Sequence, residues 1–544
     1  MKRFLKTITI AVISIFTISC SNSLEEKVYS EITESSFDYT EDDIYNVLAN
    51  AYTGLREFYR APQLNFWCIQ EAASDEIVMP ANASGWDNGG EFKRLHWHSF
   101  IADQRQTNNF WNVAYRGAIS SNRIIEQLQD DLIPMPEDLD KTELISEIRA
   151  LRALYYWIIT DNWGDIPLVA EVTQELPGKT SREDVYDFLV TELTEAIPYL
   201  NENSDQLMYG RFNKWAAKTL LANIYLNAEI YNGSAEWDKC IEQCNDVINS
   251  EQYELEENYK NIFVVNNEYS PEIIFAIPFD VLYPGGWLLP QISLHAASKS
   301  TFNMQNSPFG AGTAKAIPQF IDTYDSADTR LSDTWLMGPQ YKADGVTPIY
   351  GSYDKQGEQI NYTKEIANGE YTGEDEGYRI IKFEIDEGYK GLNNDFPFFR
   401  YAQVLLMKAE CLLRNGQADA AATIVTQVRQ RAFKNNPEKA TVTGDQLMAD
   451  SKYPWGYYVK DYGSLMEGGL DLGDQTPVKY GGMYDELGYE FACETYRRRD
   501  MIRFGTYTTK SWLSHVPSGD YKIVLPIPQM SIDANPNLEQ NPNY

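Results

Sequence analysis

The sequence predicts a mainly α-helical protein, with helix-turn-helix pairs of the tetratricopeptide type as scaffold and a second half rich in loops. Three observations carry this. Apolar residues recur at three- and four-residue spacing through most of the first 260 residues, and again from Tyr401 to Ala432. The turns between successive stripes are short, as at Asn232-Gly233 and Asn415-Gly416. Residues 337 to 378 and 435 to 482 lack periodicity and are rich in Gly, Asp, Tyr and Pro, which marks long surface loops.

The chain opens with Lys2, Arg3 and Lys6, then an uncharged run from Thr7 to Ser19, then Cys20. This is the charge, apolar core and small-residue exit of a signal peptide over residues 1–19, too short for the about 20 apolar residues of a membrane-spanning helix. Thr17-Ile18-Ser19-Cys20 is similar to a lipobox, which would make Cys20 the acylated mature N-terminus. Residues 20–45, polar and acidic at Glu25 and Glu26, then read as a lipidated leader and tether.

In the region 46–260, Leu144, Ile148, Leu151, Tyr155 and Ile158 share one helical face that stops at Gly164 and Pro167. Ser181 and Asp184 cap the next helix, with Val185, Leu189, Leu193, Ala196 and Leu200 as its stripe. A helix over 213–231 and another over 234–249 follow. In the region 261–544, Tyr401, Leu405, Ala409 and Leu412 pair with Ala421, Ile424, Val428 and Ala432 across the Asn415-Gly416 turn. The pairs do not form one uninterrupted array along the sequence.

With 46 basic and 79 acidic side chains the net charge is -33, and loss of Lys2, Arg3 and Lys6 with the leader would take it to -36. Such a balance argues against nucleic acid and against lying flat on anionic lipid. Beyond Cys20, Cys68, Cys240, Cys244, Cys411 and Cys493 are odd in number and scattered, so they read as core residues and not as a disulfide framework. There is no Gly-x-Ser-x-Gly elbow, no His-Glu-x-x-His helix and no EF-hand pattern. His96 and His98 alternate around Trp97 and could share one face of a strand, yet no third metal ligand accompanies them.

Several motifs in order then identify a family. They are Arg149 to Trp157 followed by Trp163-Gly164-Asp165-Ile166-Pro167-Leu168, and Gly210-Arg211-Phe212 leading into Ala216-Ala217. Asp328-Thr329-Arg330 and Arg400-Tyr401-Ala402-Gln403-Val404-Leu405-Leu406 come next. Glu486, Glu490 and Glu494 precede Arg497, Asp500 and Arg503, and Leu525-Pro526-Ile527-Pro528 opens the closing tail. Together they resemble the SusD/RagB family of outer-membrane nutrient-binding lipoproteins, with Gln403 and Thr495 departing from its usual residues. The helical spacing of the charged residues from Glu486 to Arg503 suggests intrahelical ion pairs and packing against the tail.

The resemblance implies a SusD-like fold and a lipid-anchored, non-catalytic lid on the extracellular side of the outer membrane. Such a lid captures oligosaccharide for a SusC-like TonB-dependent transporter, and no cofactor is implied. A sugar platform needs exposed aromatic rings beside polar side chains. Trp86, Asp87 and Asn88 in the loop 81–92, Tyr283 and Trp287 in the segment 280–287, and Trp335 fit that description, whereas Trp111, Trp157, Trp163 and Trp215 lie in or beside helices and read as core. Peptide as the cargo, and a surface glycoside hydrolase using two of the many carboxylates, are the alternatives.

Overall fold

A computed structural model describes residues 39–280, 286–367, 370–458 and 470–544. Cys20, the leader and Tyr283 lie outside the described residues. Local signals start and stop the scaffold helices. Thr40 and Asp43 form a capping box at the start of α1 (Glu41–Arg60), ahead of α2 (Arg105–Gln129). Asp140 accepts from the backbone N–H groups of Thr142 and Glu143 to begin α3 (Lys141–Trp163), which ends at Gly164 with φ 73°. Ser181 caps α4 (Arg182–Ala196) as its sequence predicts, and Asn213 caps α5 (Lys214–Leu226). The helix expected over 213–231 breaks at Asn227, where a short helix Ala228–Asn232 begins, and α6 is Trp237–Asn249.

Each helix packs on the next: α1 on α2, α2 on α3, α3 on α4, and α5 on α6. The later pair, α7 (Tyr401–Arg414) and α8 (Ala418–Arg429), joins this stack because α7 packs directly on α6. The interruption in the sequence is therefore no interruption in space. Cys240, Cys244 and Cys411 are buried at this junction as small apolar residues. Tyr155 of α3 fixes how closely α1 and α2 approach. A Cβ at Gly117 of α2 would lie 2.1 Å from its ring and a Cβ at Gly54 of α1 2.8 Å from its hydroxyl, which itself donates to Ala51 O at 2.6 Å.

The second half is laid against this stack through short strands. After the two-residue strand Ile77–Val78, which pairs with Lys315–Ala316, comes β1 (Ala81–Asn82); β2 (Ile273–Ile277) pairs antiparallel with β5 (Phe396–Arg400), both wholly buried. Beyond β5, α9 (Gly481–Phe491), α10 (Arg497–Arg503) and the turn between them, which holds Glu494, carry the acidic and basic motif residues. Their pairing differs from the intrahelical one expected. Glu490 meets Arg400 at 2.7 Å and Arg330 at 3.1 Å, and also Arg431; Glu494 meets Arg400 at 2.7 Å and Lys382 at 2.5 Å. Glu486 takes Arg330 at 2.7 Å and Arg429 at 2.5 Å, and Arg497 reaches Asp75 at 2.7 Å. Only Arg503–Asp500, at 2.7 Å, is local. Helical spacing here serves to aim carboxylates at partners from four other segments. Among the described residues no helix is long and apolar enough to cross a membrane.

Candidate functional site

The loop 81–92 is built around Asn82. Its Oδ1 accepts from Ser84 N at 3.0 Å and Ser84 Oγ at 2.6 Å, and its Nδ2 donates to Thr313 Oγ1 at 2.7 Å. Left-handed backbone at Gly85, Gly89 and Gly90 lets the chain fold back, and Asn82 N–H closes the turn on Trp86 O. The half-buried Trp86 ring leans on Phe92 at 5.6 Å, leaving part of its surface toward solvent. Asp87 pairs with Lys93 at 2.8 Å, while Asn88 donates to Glu91 at 2.8 Å and accepts from Arg105 at 2.7 Å. These two polar side chains thus hold the loop in shape.

Beside this loop, β1 runs parallel to β4 (Tyr371–Thr372), with Ala81 opposite Tyr371. Tyr371 is 46% exposed and Phe309 47%. The Phe309 turn sits on the loop so closely that a Cβ at Gly310 would be 2.5 Å from Ser84 Oγ. Tyr353, 40% exposed, and Tyr350, 52% exposed, belong to a loop held by Glu374, whose carboxylate accepts from the N–H groups of Ser352 (2.7 Å), Tyr353 (3.0 Å) and Lys355 (2.8 Å). His295 Nε2 is 2.7 Å from the same carboxylate, and its ring lies 6.2 Å from that of Tyr353. Burial works to raise the Glu374 pKa, but the three N–H donors and His295 outweigh it and hold the carboxyl below its usual range.

Under β4, Lys315 donates to Thr372 Oγ1 at 2.6 Å and to Gly373 O at 3.0 Å. Burial, reinforced by the nearby Arg379, pushes its pKa well below the ordinary lysine value. Partial burial and the negative charges of Asp354, Glu376 and Glu374 raise the Tyr371 phenol. Phe309 and Tyr371 are thus displayed on segments that adjoin the Trp86 loop, and Tyr350 and Tyr353 on the loop held by Glu374, two residues beyond β4, with acidic side chains among them. Rings supply apolar faces and carboxylates accept hydroxyl hydrogen bonds, the combination that a polyhydroxylated ring requires.

Two of the expected ring platforms are corrected. Trp287 is 0% exposed, pairs with Leu392, packs edge-on to Phe383 at 4.5 Å and donates its Nε1–H to Asn394 O at 3.1 Å. Its glycine neighbour explains the misreading. A Cβ at Gly286 would lie 2.2 Å from Leu392 O, so this glycine permits a close backbone crossing and not an open loop. Trp335, 1% exposed, is in β3 (Trp335–Leu336) opposite Ile380 and packs on Phe320. Trp111, Trp157 and Trp163 are buried as expected, and Trp215 is half-buried. His96 ends a short helix, Glu91–His96, and does not share a strand face with His98. Both pack around His515, His96 edge-on at 6.1 Å and His98 tilted at 4.2 Å, and among the described residues no group of side chains is arranged to hold a metal ion.

Phe309, Tyr350, Tyr353 and Tyr371 were not singled out by sequence. Three of them fall in the aperiodic run 337–378, where Tyr350-Gly351-Ser352-Tyr353 places two rings among residues with no helical or strand stripe to bury them.

Residues 271–544 match the model of the SusD family, and residues 23–226 match a model described as starch-binding, associating with outer membrane. SusD-like protein P25 of Formosa agariphila is 24% identical, covering 98% of both chains. The starch-binding protein SusD of Bacteroides thetaiotaomicron is also 24% identical, over 100% of this chain and 99% of that one. Among solved structures, surface glycan-binding protein A of Bacteroides thetaiotaomicron in complex with laminarihexaose superposes with a TM-score of 0.67 at 22% identity, covering 93% of this chain and 100% of the other. A laminarin-binding SusD-like protein gives a TM-score of 0.68 at 20% identity, over 93% and 100% of the two chains. With both halves matched in order and the whole fold superposed, the chain belongs to the SusD family.

Proposed function

We propose that this chain is a cell-surface glycan-binding protein, non-catalytic, which captures oligosaccharide on the face formed by Trp86, Phe309, Tyr350, Tyr353 and Tyr371. The observation that carries this reading is the gathering of exposed rings around β1 and β4 beside Asp354 and Glu376. A net charge of -33 supports a neutral glycan over a sulfated or uronic one. The names of relatives, starch-binding and laminarin-binding, agree in substrate class. Asp87 and Asn88 act by holding the Trp86 loop. The residues 46–260 serve as scaffold, and 261–544 supply most of the binding loops.

Attachment to the outer membrane through a lipid on Cys20, and delivery to a SusC-like TonB-dependent transporter, complete the proposal. A family description that names the outer membrane supports the location. The test is affinity electrophoresis of the purified chain through gels containing starch, laminarin or no polysaccharide. Retardation by a neutral polysaccharide, strongly reduced in a Tyr353→Ala, Tyr371→Ala double variant, is expected. Migration unaffected by every polysaccharide, with binding to a peptide panel instead, would overturn it, and release of shortened sugar would revive a hydrolase.

A further inference from the structure

A cavity of about 240 Å³ opens between the loop that precedes α5, the residues after α6 and the segment that enters β2. Gln206, Tyr209, Gln252, Tyr253, Glu268 and Tyr269 line it, and none of them lines the aromatic face around β1 and β4. Tyr269 is 76% exposed, the most exposed aromatic side chain among the described residues. A phenol ring left this open to water contributes little to the fold.

The other walls are held firmly. Tyr253 OH accepts from Asn213 Nδ2 at 3.1 Å, and Asn213 caps α5. Tyr209 OH donates to the buried Asp395 at 2.7 Å. Glu254 N–H donates to Pro271 O at 3.1 Å and joins two of the walls. Ser204 Oγ donates to Gln252 Oε1 at 2.8 Å, which orients this amide and leaves its NH₂ as a donor. The cavity is therefore preorganised, which lowers the entropy lost when something binds.

Its chemistry narrows the occupant. No Lys or Arg lines it, so an anion gains nothing there. Of its acids, Asp205 already accepts from Leu207 N at 3.1 Å and Met208 N at 3.3 Å, so its charge is turned to the loop. What remains is one open ring face with amides, hydroxyls and a single carboxylate, Glu268, in a volume below the about 300–1,000 Å³ of an ordinary small-molecule site. That matches one hydroxylated ring with no net charge.

We propose that this cavity is a second glycan subsite, which seats one neutral pyranose unit of a polysaccharide against Tyr269, with Gln206 and Gln252 on its hydroxyls. The inference rests on the glycan-binding reading above and adds a separate site to it. Two sites on one chain would raise retention of long polymers by effective concentration.

The test is affinity electrophoresis of the full chain on the polysaccharide that retards it most, using Tyr269→Ala, the Tyr353→Ala, Tyr371→Ala double variant, and all three changes together. Residual retardation in the double variant, removed by adding Tyr269→Ala, is expected. Tyr269→Ala alone should weaken retention about three- to tenfold, and Tyr269→Phe should keep it. Unaltered melting of Tyr269→Ala checks that the fold is intact. Wild-type retention by Tyr269→Ala, with none left in the double variant, would overturn the second subsite alone. Loss in Tyr269→Ala of binding to a lysine-rich peptide, with polysaccharide retention intact, would make the cavity a cation seat and overturn it too. No retention of the wild type on any neutral polysaccharide would instead remove the glycan reading, and this subsite with it.

Discussion

Arg400, the last residue of β5, places Nη1 2.7 Å from Oε1 of Glu490 in α9, with both side chains wholly buried and 90 positions apart in the chain. Around the pair, Asp328, Glu272, Glu486 and Glu494 face Arg330, Arg429, Arg431 and Lys382, so the buried charges balance. Burial would raise the Glu490 pKa, but Arg431, Arg400 and Arg330 outweigh it and hold the carboxyl at about 2. Its contribution to stability is therefore complete above the ordinary glutamate value and is lost as pH falls toward 2. Glu490→Gln leaves buried guanidiniums without their counter-charge and should destabilise the fold by about 3–5 kcal/mol. Urea unfolding at neutral pH measures this, and a loss within 1 kcal/mol, on the order of an exposed pair, would contradict a structural role for the cluster.

A second prediction concerns the helical stack. Gly117→Ala gains about 1 kcal/mol in helix propensity at an ordinary site. Here the new methyl would lie 2.1 Å from Cζ of Tyr155, in the middle of three packed helices, so overpacking of about 1–3 kcal/mol should win. Gly54→Ala meets only the Tyr155 hydroxyl at 2.8 Å and should be milder. Thermal melting of the two variants gives the order, and a Gly117→Ala protein more stable than wild type would refute the packing argument.

The same contrast explains what was legible in the sequence. Helix caps depend on neighbours three residues away, so Ser181 with Asp184, and Gly164 at the end of α3, read correctly from the chain alone. The ion pairs of Glu486, Glu490 and Glu494 did not, because partners such as Arg330 and Arg400 lie 90 to 160 residues away and a four-residue spacing has an ordinary local explanation. The site was half legible. The loop around Trp86 was visible as an aromatic among glycines, whereas the same signature at Gly286-Trp287 marked a backbone crossing that only the partner segment at Leu392 reveals. The exposed tyrosines of 350–371 carry no local stripe or motif; the pairing of β1 with β4 positions Tyr371, and the Glu374 carboxylate holds the loop of Tyr350 and Tyr353 just beyond it.

The histidines give a pH-dependent prediction. His98 and His515 lie with ring centroids 4.2 Å apart, and neither ring nitrogen of the buried His96 has a hydrogen-bond partner among the described residues. Burial, and for His96 the neighbouring His515, keeps all of them neutral, with the His515 pKa down at about 3. A folded-state pKa below the unfolded value of about 6.5 means that only the unfolded chain takes up the proton on acidification. Stability from these groups is present above about pH 6.5 and falls as pH drops toward 3, by about 1.4 kcal/mol per pH unit for each suppressed proton. Glu71, raised by burial to about 8, acts in the opposite sense in part of this window, so the comparison must be between proteins. His96→Phe should flatten the decline of unfolding free energy between pH 7 and pH 5 relative to wild type; parallel curves would show that His96 is protonated in the fold.

The final prediction separates the two tryptophans that share a sequence signature. Trp287→Ala empties a fully enclosed site lined by Phe279, Phe383 and Phe396 and leaves Asn394 O without its donor. It should destabilise the fold by about 3–5 kcal/mol, and the fraction that stays folded should bind polysaccharide as the wild type does. Trp86→Ala removes a half-buried ring that leans on Phe92 alone among its aromatic contacts, so the loss of stability should stay near 1–2 kcal/mol, about half the area-based value of a buried side chain. Its effect on retention by polysaccharide should be larger, about five- to tenfold, because the ring belongs to the loop that adjoins Tyr371 through β1 and Phe309 through Ser84. Melting curves and affinity electrophoresis on the same two variants give a crossed pattern: one protein weak in folding and intact in binding, the other the reverse. If both variants lose binding only in proportion to folding, Trp86 belongs to the core with Trp287, and the platform reduces to Phe309 and the exposed tyrosines.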